Sequence, residues 1–392
     1  MSLRKRFKMF QETFPDDNRT YHKWLVITQW FRTVDVGSTL DTGIFPDGMR
    51  AIIWDHSDIN KVIINPDQTK LRVLSFSNTR IRKLTIPDSI KTVEAITLFD
   101  TPVTTLELGG SIKKLKTLTL RPTTATNRVT FPVDMTGLIA LRIDSSFNSP
   151  SLPRGAVNLE SLQVRAEVGD NGIRIPSEYV NLKNLDVSGS FGRVSVPNAP
   201  KLNRLDITTD ASTFIMPELP SVVNLHIMAN KIKSLIIPMC YDDVYQLVVR
   251  GDAVTSLELP TTLKDASAIE VACPETASIT IPETSLDLKG LRLKAKVILI
   301  KPPLPNLDEL IVVTSSIKVE KPKTLGNLRH LSINKESKVS MALPNEMLLL
   351  ESLHVNTQRV RFKNIHTPRL DYMNGPNFIH ANINGDVVHE KD

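Results

Sequence analysis

A six-residue segment of the form L-x-x-L-x-L recurs about every 21 to 22 residues along nearly the whole chain. Within each copy, apolar and polar residues alternate, which is typical of a half-buried β-strand. Fifteen copies at such regular spacing predict stacked structural repeats, each packing on its neighbours, rather than two or three separate domains. The central apolar residues of the copies are Ile52, Leu74, Ile96, Leu118, Leu141, Leu162, Leu185, Leu205, Leu225, Leu247, Ile269, Leu291, Leu310, Leu331 and Leu353.

A second alternating segment follows each first one by about ten residues, and proline closes most copies. Proline cannot donate to a β-ladder, so it belongs at the end of this strand and starts a turn. No repeat leaves room for an ordinary helix. The sequence therefore predicts an all-β-dominated solenoid of about 15 coils, with two short parallel strands per coil and little helix. The closing prolines are Pro66, Pro87, Pro132, Pro176, Pro197, Pro217, Pro238, Pro260, Pro282, Pro322 and Pro344.

The combined pattern L-x-x-L-x-L followed by L-x-x-L-x-I-P resembles the leucine-rich-repeat superfamily, and most of all its short bacterial classes. The resemblance covers residues 49–375. In that family the ninth repeat position is usually asparagine, which caps backbone groups at a bend. Here ten of the fifteen ninth positions are Ser, Thr, Asp or Asn, but only Asn230 is asparagine. The resemblance therefore implies a divergent member, with these polar side chains bonded to neighbouring backbone.

Both ends of such an array need a cap. Residues 1–48 break the repeat and are predicted to form an N-terminal cap with a basic segment, while residues 376–392 form a C-terminal cap and tail. The aromatic N-terminal stretch either plugs the first coil or docks onto another protein. Its basic residues either solubilise the end or tether it to nucleic acid or an anionic surface, the less favoured alternative. The candidate docking residues are Arg4, Lys5, Arg6, Lys8, Trp24 and Trp30.

Residues between the inward leucines are predicted to point outward and to form a long, rigid surface along a parallel sheet. Arginine clusters on this surface either recognise carboxylate or phosphate groups, or are solvated charges balanced by nearby aspartates. Since aromatic residues do not alternate with these cations, single-stranded nucleic acid is disfavoured. The candidate partner-binding residues are Phe99, Arg121, Arg142, Arg165, Met228, Tyr245, Arg250, Arg292, Lys294 and Ile311.

Motifs for catalysis are absent from the sequence: it has no glycine-rich phosphate loop, no zinc-ligand spacing and no nucleophile elbow. Cys240, Tyr241 and Asp242 match the Cys-x-Asp motif of bacterial leucine-rich-repeat ubiquitin ligases. In those effectors the motif lies in a separate helical domain, whereas here it falls inside the array. We therefore expect a non-enzymatic protein without catalytic residues, metal or cofactor.

These observations predict a leucine-rich-repeat protein-binding scaffold whose partner is another protein. Two alternatives remain open: a structural subunit of a larger assembly such as a viral or phage particle, or a pathogen effector that binds a host protein. The N-terminus lacks a signal-peptide pattern, and no 18-residue apolar stretch occurs, so we expect no membrane span. Together with only two cysteines, this favours a cytoplasmic location or incorporation in an assembly.

Overall fold

The structure is a computed structural model, in which the chain divides into two compact units. The N-terminal unit comprises residues 1–189 and 195–201, and the C-terminal unit comprises residues 190–194 and 202–392. The structure describes residues 39–44, 48–55, 59–109, 113–122, 131–132, 134–145, 152–166, 172–196, 199–284, 286–301, 303–320, 322–334, 347–356, 365–366, 372–374 and 383–384. The predicted N-terminal cap lies mostly outside these residues, and so does the predicted C-terminal cap.

The N-terminal unit is built from short parallel strands, most of them in the first segment of a repeat and some in the second. The first segments form one ladder, in the order β2, β4, β6, β8, β9, β10, β12, while β5 and β7 pair separately. The strands are β1 (Thr39–Asp41), β2 (Ala51–Asp55), β3 (Lys61–Ile63), β4 (Val73–Ser77), β5 (Lys83–Thr85), β6 (Ala95–Thr101), β7 (Thr105–Glu107), β8 (Thr117–Pro122), β9 (Ala140–Ser145), β10 (Ser161–Ala166), β11 (Ile173–Arg174) and β12 (Asn184–Gly189).

The strand β13 (Val194–Ser195) precedes the strands of the C-terminal unit. In that unit the first segments again pair in parallel, in the order β14, β15, β17, β20, β23, β24, β25, β26, β28. The strands are β14 (Arg204–Thr209), β15 (Asn224–Ala229), β16 (Ser234–Ile236), β17 (Gln246–Arg250), β18 (Ser256–Glu258), β19 (Thr262–Leu263), β20 (Ala268–Ala272), β21 (Ile279–Ile281), β22 (Glu283–Thr284), β23 (Gly290–Ile300), β24 (Glu309–Val319), β25 (His330–Asn334), β26 (Ser352–Asn356), β27 (Ile365–His366), β28 (Tyr372–Asn374) and β29 (Ile383–Asn384).

The central leucines stack in register, and this register fixes which side chains form the core. Each central residue pairs with the central residue one repeat later, as Leu162 does with Leu185 and Leu247 with Ile269. These side chains are almost fully buried, and a second buried column two residues further along each strand runs beside them. Because side chains alternate across a strand, the intervening residues face outward. The core is mainly aliphatic, with a few buried aromatic exceptions such as Phe76 and Tyr241.

Proline-led turns close the coils as the sequence predicts. The carbonyl oxygens of Pro87, Pro176 and Pro238 each accept a hydrogen bond from the backbone N–H three residues later. The described helical elements are short 3₁₀ turns at Thr42–Ile44, Met239–Tyr241 and Pro322–Leu325. The prediction of a parallel β solenoid with little helix is therefore confirmed.

The coil count differs slightly from the prediction. The solenoid has about 12 turns rather than about 15. The proline-closed segment does not always form a regular strand: in the described residues between β14 and β15, only Ile215 makes a bridge, to Arg193. A repeated segment in the sequence is therefore not always a complete two-stranded coil.

Two adjacent strands in the C-terminal unit run without a break through both halves of the repeat. Each of β23 and β24 has 11 residues, and the two pair in parallel on both sides of a bend. Thr314 shapes the bend: its hydroxyl bonds to the carbonyl oxygen of Lys296 at 3.0 Å and accepts the N–H of Ser316 at 3.2 Å. At the ninth repeat position, Ser315 also donates to the carbonyl oxygen of Lys296, at 2.6 Å.

The ninth positions do not all cap the backbone. Among the described residues, the buried hydroxyls of Thr79 and Thr101 have no hydrogen-bond partner, although Ser315 behaves as the resemblance implies. Asparagines just before the first leucine of a repeat take the capping role instead. The side-chain amides of Asn158, Asn181 and Asn327 donate at 2.6–2.8 Å to carbonyl oxygens of the preceding coil.

Candidate protein-binding face

The outward side chains of the first strands form what we call the strand face of each unit. Parallel pairing without a shift places equivalent residues side by side, so the strand face consists of straight rows one residue wide. Neighbouring side chains in a row are about 4.8 Å apart, the spacing between adjacent strands. In β4, for example, the outward residues are half-buried between their row neighbours. What the face can bind therefore depends on the charges of these side chains and on their contacts within the protein.

In the N-terminal unit, the structure brings together Phe99 and Arg121, two of the candidate residues. The Arg121 guanidinium carbon lies 4.5 Å from the centre of the Phe99 ring, which is a cation–π contact. The Nε of Arg121 is 3.2 Å from a carboxylate oxygen of Asp100. A register shift between Phe99 and Thr101, with a φ of 51° at Asp100, places that carboxylate beside β8.

The other two candidate arginines of this unit, Arg142 and Arg165, make contacts away from Phe99. Arg142 turns onto Asp144 of its own strand at 3.0 Å, and the Asp144 side chain is only 10% exposed. Arg165 donates from Nε to the Ser188 hydroxyl on β12 at 3.3 Å. The arginines Arg121, Arg142 and Arg165 are thus directed to three different strands. The predicted three-arginine cluster does not form one convergent anion site.

In the C-terminal unit, carboxylates engage both predicted arginines. The Nε of Arg250 donates to Glu270 at 2.7 Å, and Arg292 binds Glu309 through two nitrogens, with its Nε donating at 2.9 Å. The hydrogen bond to Glu309 raises the pKa of the Arg292 guanidinium above its ordinary value. Glu270 and Arg292 are also row neighbours. Alternating charges therefore cross β17, β20, β23 and β24, as the balanced-charge alternative predicts.

Lys294 differs from these arginines. It lies in the row between Ala272 and Val313, and it is exposed. Among the residues that the structure describes, no carboxylate forms an ion pair with Lys294.

The apolar candidates fall into two groups. Met228 and Ile311 lie on the strand face and are half-buried, as their repeat positions predict. Tyr245 precedes β17 and is 53% exposed at the turn, outside the rows of the face. The face also carries Val248 and Val313, which were not among the candidates. The same position rule would have selected both, since they occupy the fifth and seventh places of their repeats.

The Cys-x-Asp segment forms a turn inside the array. Tyr241 is buried, and its hydroxyl donates to the carbonyl oxygen of Pro217 at 2.6 Å. Burial raises the pKa of the Cys240 thiol, whereas a reactive cysteine needs a lowered pKa. Asp242 is bound by Lys264 at 2.6 Å. These contacts give the segment a structural role and leave its thiol without activation.

Some predictions concern residues whose structure is not described. The candidate docking residues Arg4, Lys5, Arg6, Lys8, Trp24 and Trp30 lie outside the described residues, so their role stays a prediction. Within the described ranges, no three His, Cys, Asp or Glu residues are grouped so that they could hold a metal ion. No helix in those ranges has the length and apolar character needed to cross a membrane.

Each first strand contributes two buried side chains, and stacking of the repeats arranges them in two columns. In both units the leucines of the L-x-x-L-x-L segments face the core, and the equivalent residues pair one repeat later. Each unit is therefore a parallel β solenoid with leucine-lined buried columns.

No family model matches this chain, and no curated protein does. Among solved structures, it is similar to a leucine-rich-repeat protein of Leptospira interrogans, with 14% sequence identity and a TM-score of 0.39. The alignment covers 76% of this chain and 86% of that protein chain.

Proposed function

We propose that this chain is a non-enzymatic protein-binding scaffold that presents its strand face to a macromolecular partner. The observation that carries the proposal is the parallel register of the first strands, which is unshifted in the C-terminal unit and sets outward side chains in straight rows. A rigid array of this kind is the type of surface with which solenoid proteins bind partners. Because the face is already ordered, little free energy is needed to organise it before binding.

The composition of the C-terminal strand face favours protein over nucleic acid. Arg250 and Arg292 are bound to Glu270 and Glu309, so most of their charge is balanced inside the protein. Nucleic-acid binding depends instead on unbalanced cations that neutralise phosphates. Half-buried apolar side chains interleave with the ion pairs and suit the buried centre of a protein interface. These apolar residues are Met228, Val248, Ile311 and Val313.

The non-enzymatic part of the proposal rests on the one segment that matches a catalytic motif. The Cys240 thiol has a raised pKa and lies beside the buried Tyr241 in a turn. Nucleophilic catalysis by cysteine requires the thiolate at neutral pH. A residue held in this way packs the turn rather than attacking a substrate.

Partner capture with matched variants tests the proposal. Ile311→Glu places a charge at the centre of the apolar part of the strand face. Ile236→Glu places the same charge on β16, where the side chain is 56% exposed but outside the strand face. The full-length wild type and both variants are cross-linked in a lysate of the source cells, and captured proteins are quantified by mass spectrometry.

We expect at least one protein to be captured by the wild type and by Ile236→Glu and to be lost with Ile311→Glu. Circular dichroism establishes that both variants keep the β fold. Identical capture by all three proteins would contradict binding through the C-terminal strand face. Charge reversal at Arg142 or Arg165 extends the same comparison to the N-terminal unit.

A further inference from the structure

The strand β20 leaves a notch in the C-terminal strand face. Two of its outward residues, Ala268 and Ala272, have side chains that end at Cβ, and Glu270 lies between them. In the row of Ala272, the neighbours are Arg250 on β17 and Lys294 on β23. Adjacent strands are about 4.8 Å apart, so the two long cationic side chains rise from either side of a methyl group, about 10 Å from each other at the backbone.

The charges around this notch do not cancel. Arg250 directs two nitrogens at the same oxygen of Glu270, at 2.7 and 2.6 Å. Arg292, the other cation beside Glu270, binds Glu309. Lys294 makes no ion pair with a residue in the described ranges, and it is exposed. Within the described ranges, the notch therefore has two cations and one carboxylate at its border, so one of the two positive charges has no carboxylate partner there.

We propose that the notch above Ala272 receives the carboxylate of an aspartate or glutamate side chain from a partner protein; this inference rests on the proposed scaffold function. A carboxylate above the alanine methyl would lie between Lys294, with three ammonium donors, and Arg250, whose guanidinium has five donors. Arg250 uses only two of its nitrogens on Glu270, so it can bind a second acceptor. Both contacts would be charge-assisted hydrogen bonds.

The neighbours of the notch also indicate what lies beside the acidic residue in the partner. Val313 follows Lys294 in the same row, and Ile311 lies two residues earlier on β24. An apolar side chain next to the carboxylate would pack on these two. One unbalanced positive charge also matches a carboxylate better than a phosphate group, which carries about −1.5 to −2 charges at neutral pH. The recognised chemistry is therefore an acidic residue beside an apolar one.

A selection experiment tests the notch even while the natural partner is unidentified. A random dodecapeptide library displayed on phage is selected on the full-chain wild type, without depletion on any variant, and the enriched peptides are then tested for binding to wild type and to Ala272→Leu. Leucine at position 272 fills the notch from the outside and leaves the buried residues of β20 unchanged. Ala268→Leu is the matched control, because it adds the same side chain to the same strand on the other side of Glu270.

We expect the enriched peptides to share an acidic residue next to an apolar one. Fluorescence anisotropy with synthetic peptides should show binding at least about tenfold weaker to Ala272→Leu and to Lys294→Ala, and within about twofold of wild type for Ala268→Leu. Replacing the acidic residue of the peptide by its amide should weaken binding to wild type, but should have little further effect on Lys294→Ala.

Two results would contradict the proposed carboxylate site. Enriched peptides that lack an acidic residue, or that bind Ala272→Leu as tightly as wild type, would show that the carboxylate site is wrong. If those peptides still lose binding with Ile311→Glu, the scaffold function stands and only the notch fails. A library that yields no binder to wild type also overturns the notch, and the cross-linking comparison then decides the scaffold function separately.

Discussion

The hydroxyl of Tyr241 donates a 2.6 Å hydrogen bond to the carbonyl oxygen of Pro217, which lies 24 residues earlier and closes the preceding repeat. The N-terminal unit contains the same device, where Tyr179 donates to the carbonyl oxygen of Pro153 at 2.7 Å. Each tyrosine lies in a turn that begins with a proline, and its side chain extends to a backbone carbonyl of the preceding repeat. Burial raises the pKa of both phenols well above the ordinary value, so they remain neutral donors.

Removing one of these hydroxyls should destabilise the protein. Tyr241→Phe keeps the ring but leaves the Pro217 carbonyl without its donor, a loss of about 1–3 kcal/mol. The measurement is the urea midpoint of unfolding, followed by circular dichroism. Tyr245→Phe is the control, since Tyr245 is exposed at the neighbouring turn, and it should change the free energy of unfolding by less than about 0.5 kcal/mol. Equal effects of the two substitutions would contradict a structural role for the Tyr241 hydroxyl.

Two glycines in first strands should respond oppositely to alanine. Gly189 has a φ of 136°, and a Cβ there would lie 1.7 Å from the carbonyl oxygen of Ala166. Gly189→Ala should therefore cost about 1–3 kcal/mol or more. At Gly290 the nearest atom to an added Cβ is 4.0 Å away, so Gly290→Ala should be neutral or stabilise by up to about 1 kcal/mol. Thermal unfolding of both variants checks the prediction, and a stable Gly189→Ala protein would contradict the backbone geometry.

Stability should fall in acid because lysine-bound carboxylates lose their charge. Hydrogen bonds from lysines lower the pKa of three carboxyl groups below their ordinary values, which are 4.5 for glutamate and 3.8 for aspartate. The pairs are Lys83 with Glu107, Lys264 with Asp242, and Lys296 with Glu275. A lowered folded-state pKa gives stability that is present above the ordinary pKa and lost as pH falls through the folded-state value.

The check is a series of urea midpoints from about pH 7 to about pH 3. We expect a decline below about pH 4.5 that is shallower in a triple variant with Glu107→Gln, Asp242→Asn and Glu275→Gln. High salt should also reduce the contribution, because these pairs are exposed. An unchanged pH profile in the triple variant would assign the acid sensitivity to other groups.

The two cysteines should differ in reactivity. Burial raises the pKa of Cys273 to about 11 and also raises the pKa of Cys240, but Cys273 is buried whereas Cys240 is only half-buried. Since the thiolate is the nucleophile, iodoacetamide should label Cys240 at least about tenfold faster in the folded protein at pH 8. Peptide mass spectrometry measures both rates, and urea should make them equal. Fast native labelling of Cys273 would show that its coil opens readily.

The buried columns could be predicted from the sequence, whereas the partners of the outward arginines could not. Period-two alternation fixes which residues of a strand share a side, and a constant repeat length places Leu162 beside Leu185. The partner of Arg121 depends instead on a register shift at Asp100. Nothing in the segment Phe99–Thr101 indicates that shift, because an aspartate with positive φ is uncommon. The sequence therefore predicted the face but not how its charges pair.

The capping residues differ from the prediction for another reason. The family resemblance implies caps at the ninth position, where the hydroxyls of Thr79 and Thr101 find no hydrogen-bond partner within the described part of the chain. The structure places asparagine caps one residue before the first leucine instead, at Asn158, Asn181 and Asn327. The sequence does carry a signal, since Asn-Leu begins several repeats. Leucine spacing alone does not reveal it, because a divergent array can move a cap to the other end of the strand and keep the same spacing.

The unbroken strands β23 and β24 have a consequence for how the array comes apart. Stacked repeats lose structure coil by coil from a free end, and the loss slows where neighbouring coils are joined most extensively. Because this pair is joined across both halves of the repeat, we expect its amide protons to exchange among the slowest in the C-terminal unit. Fraying that begins after β25 would then stop before it reaches Lys294, so a bound partner would remain anchored while the end of the array opens.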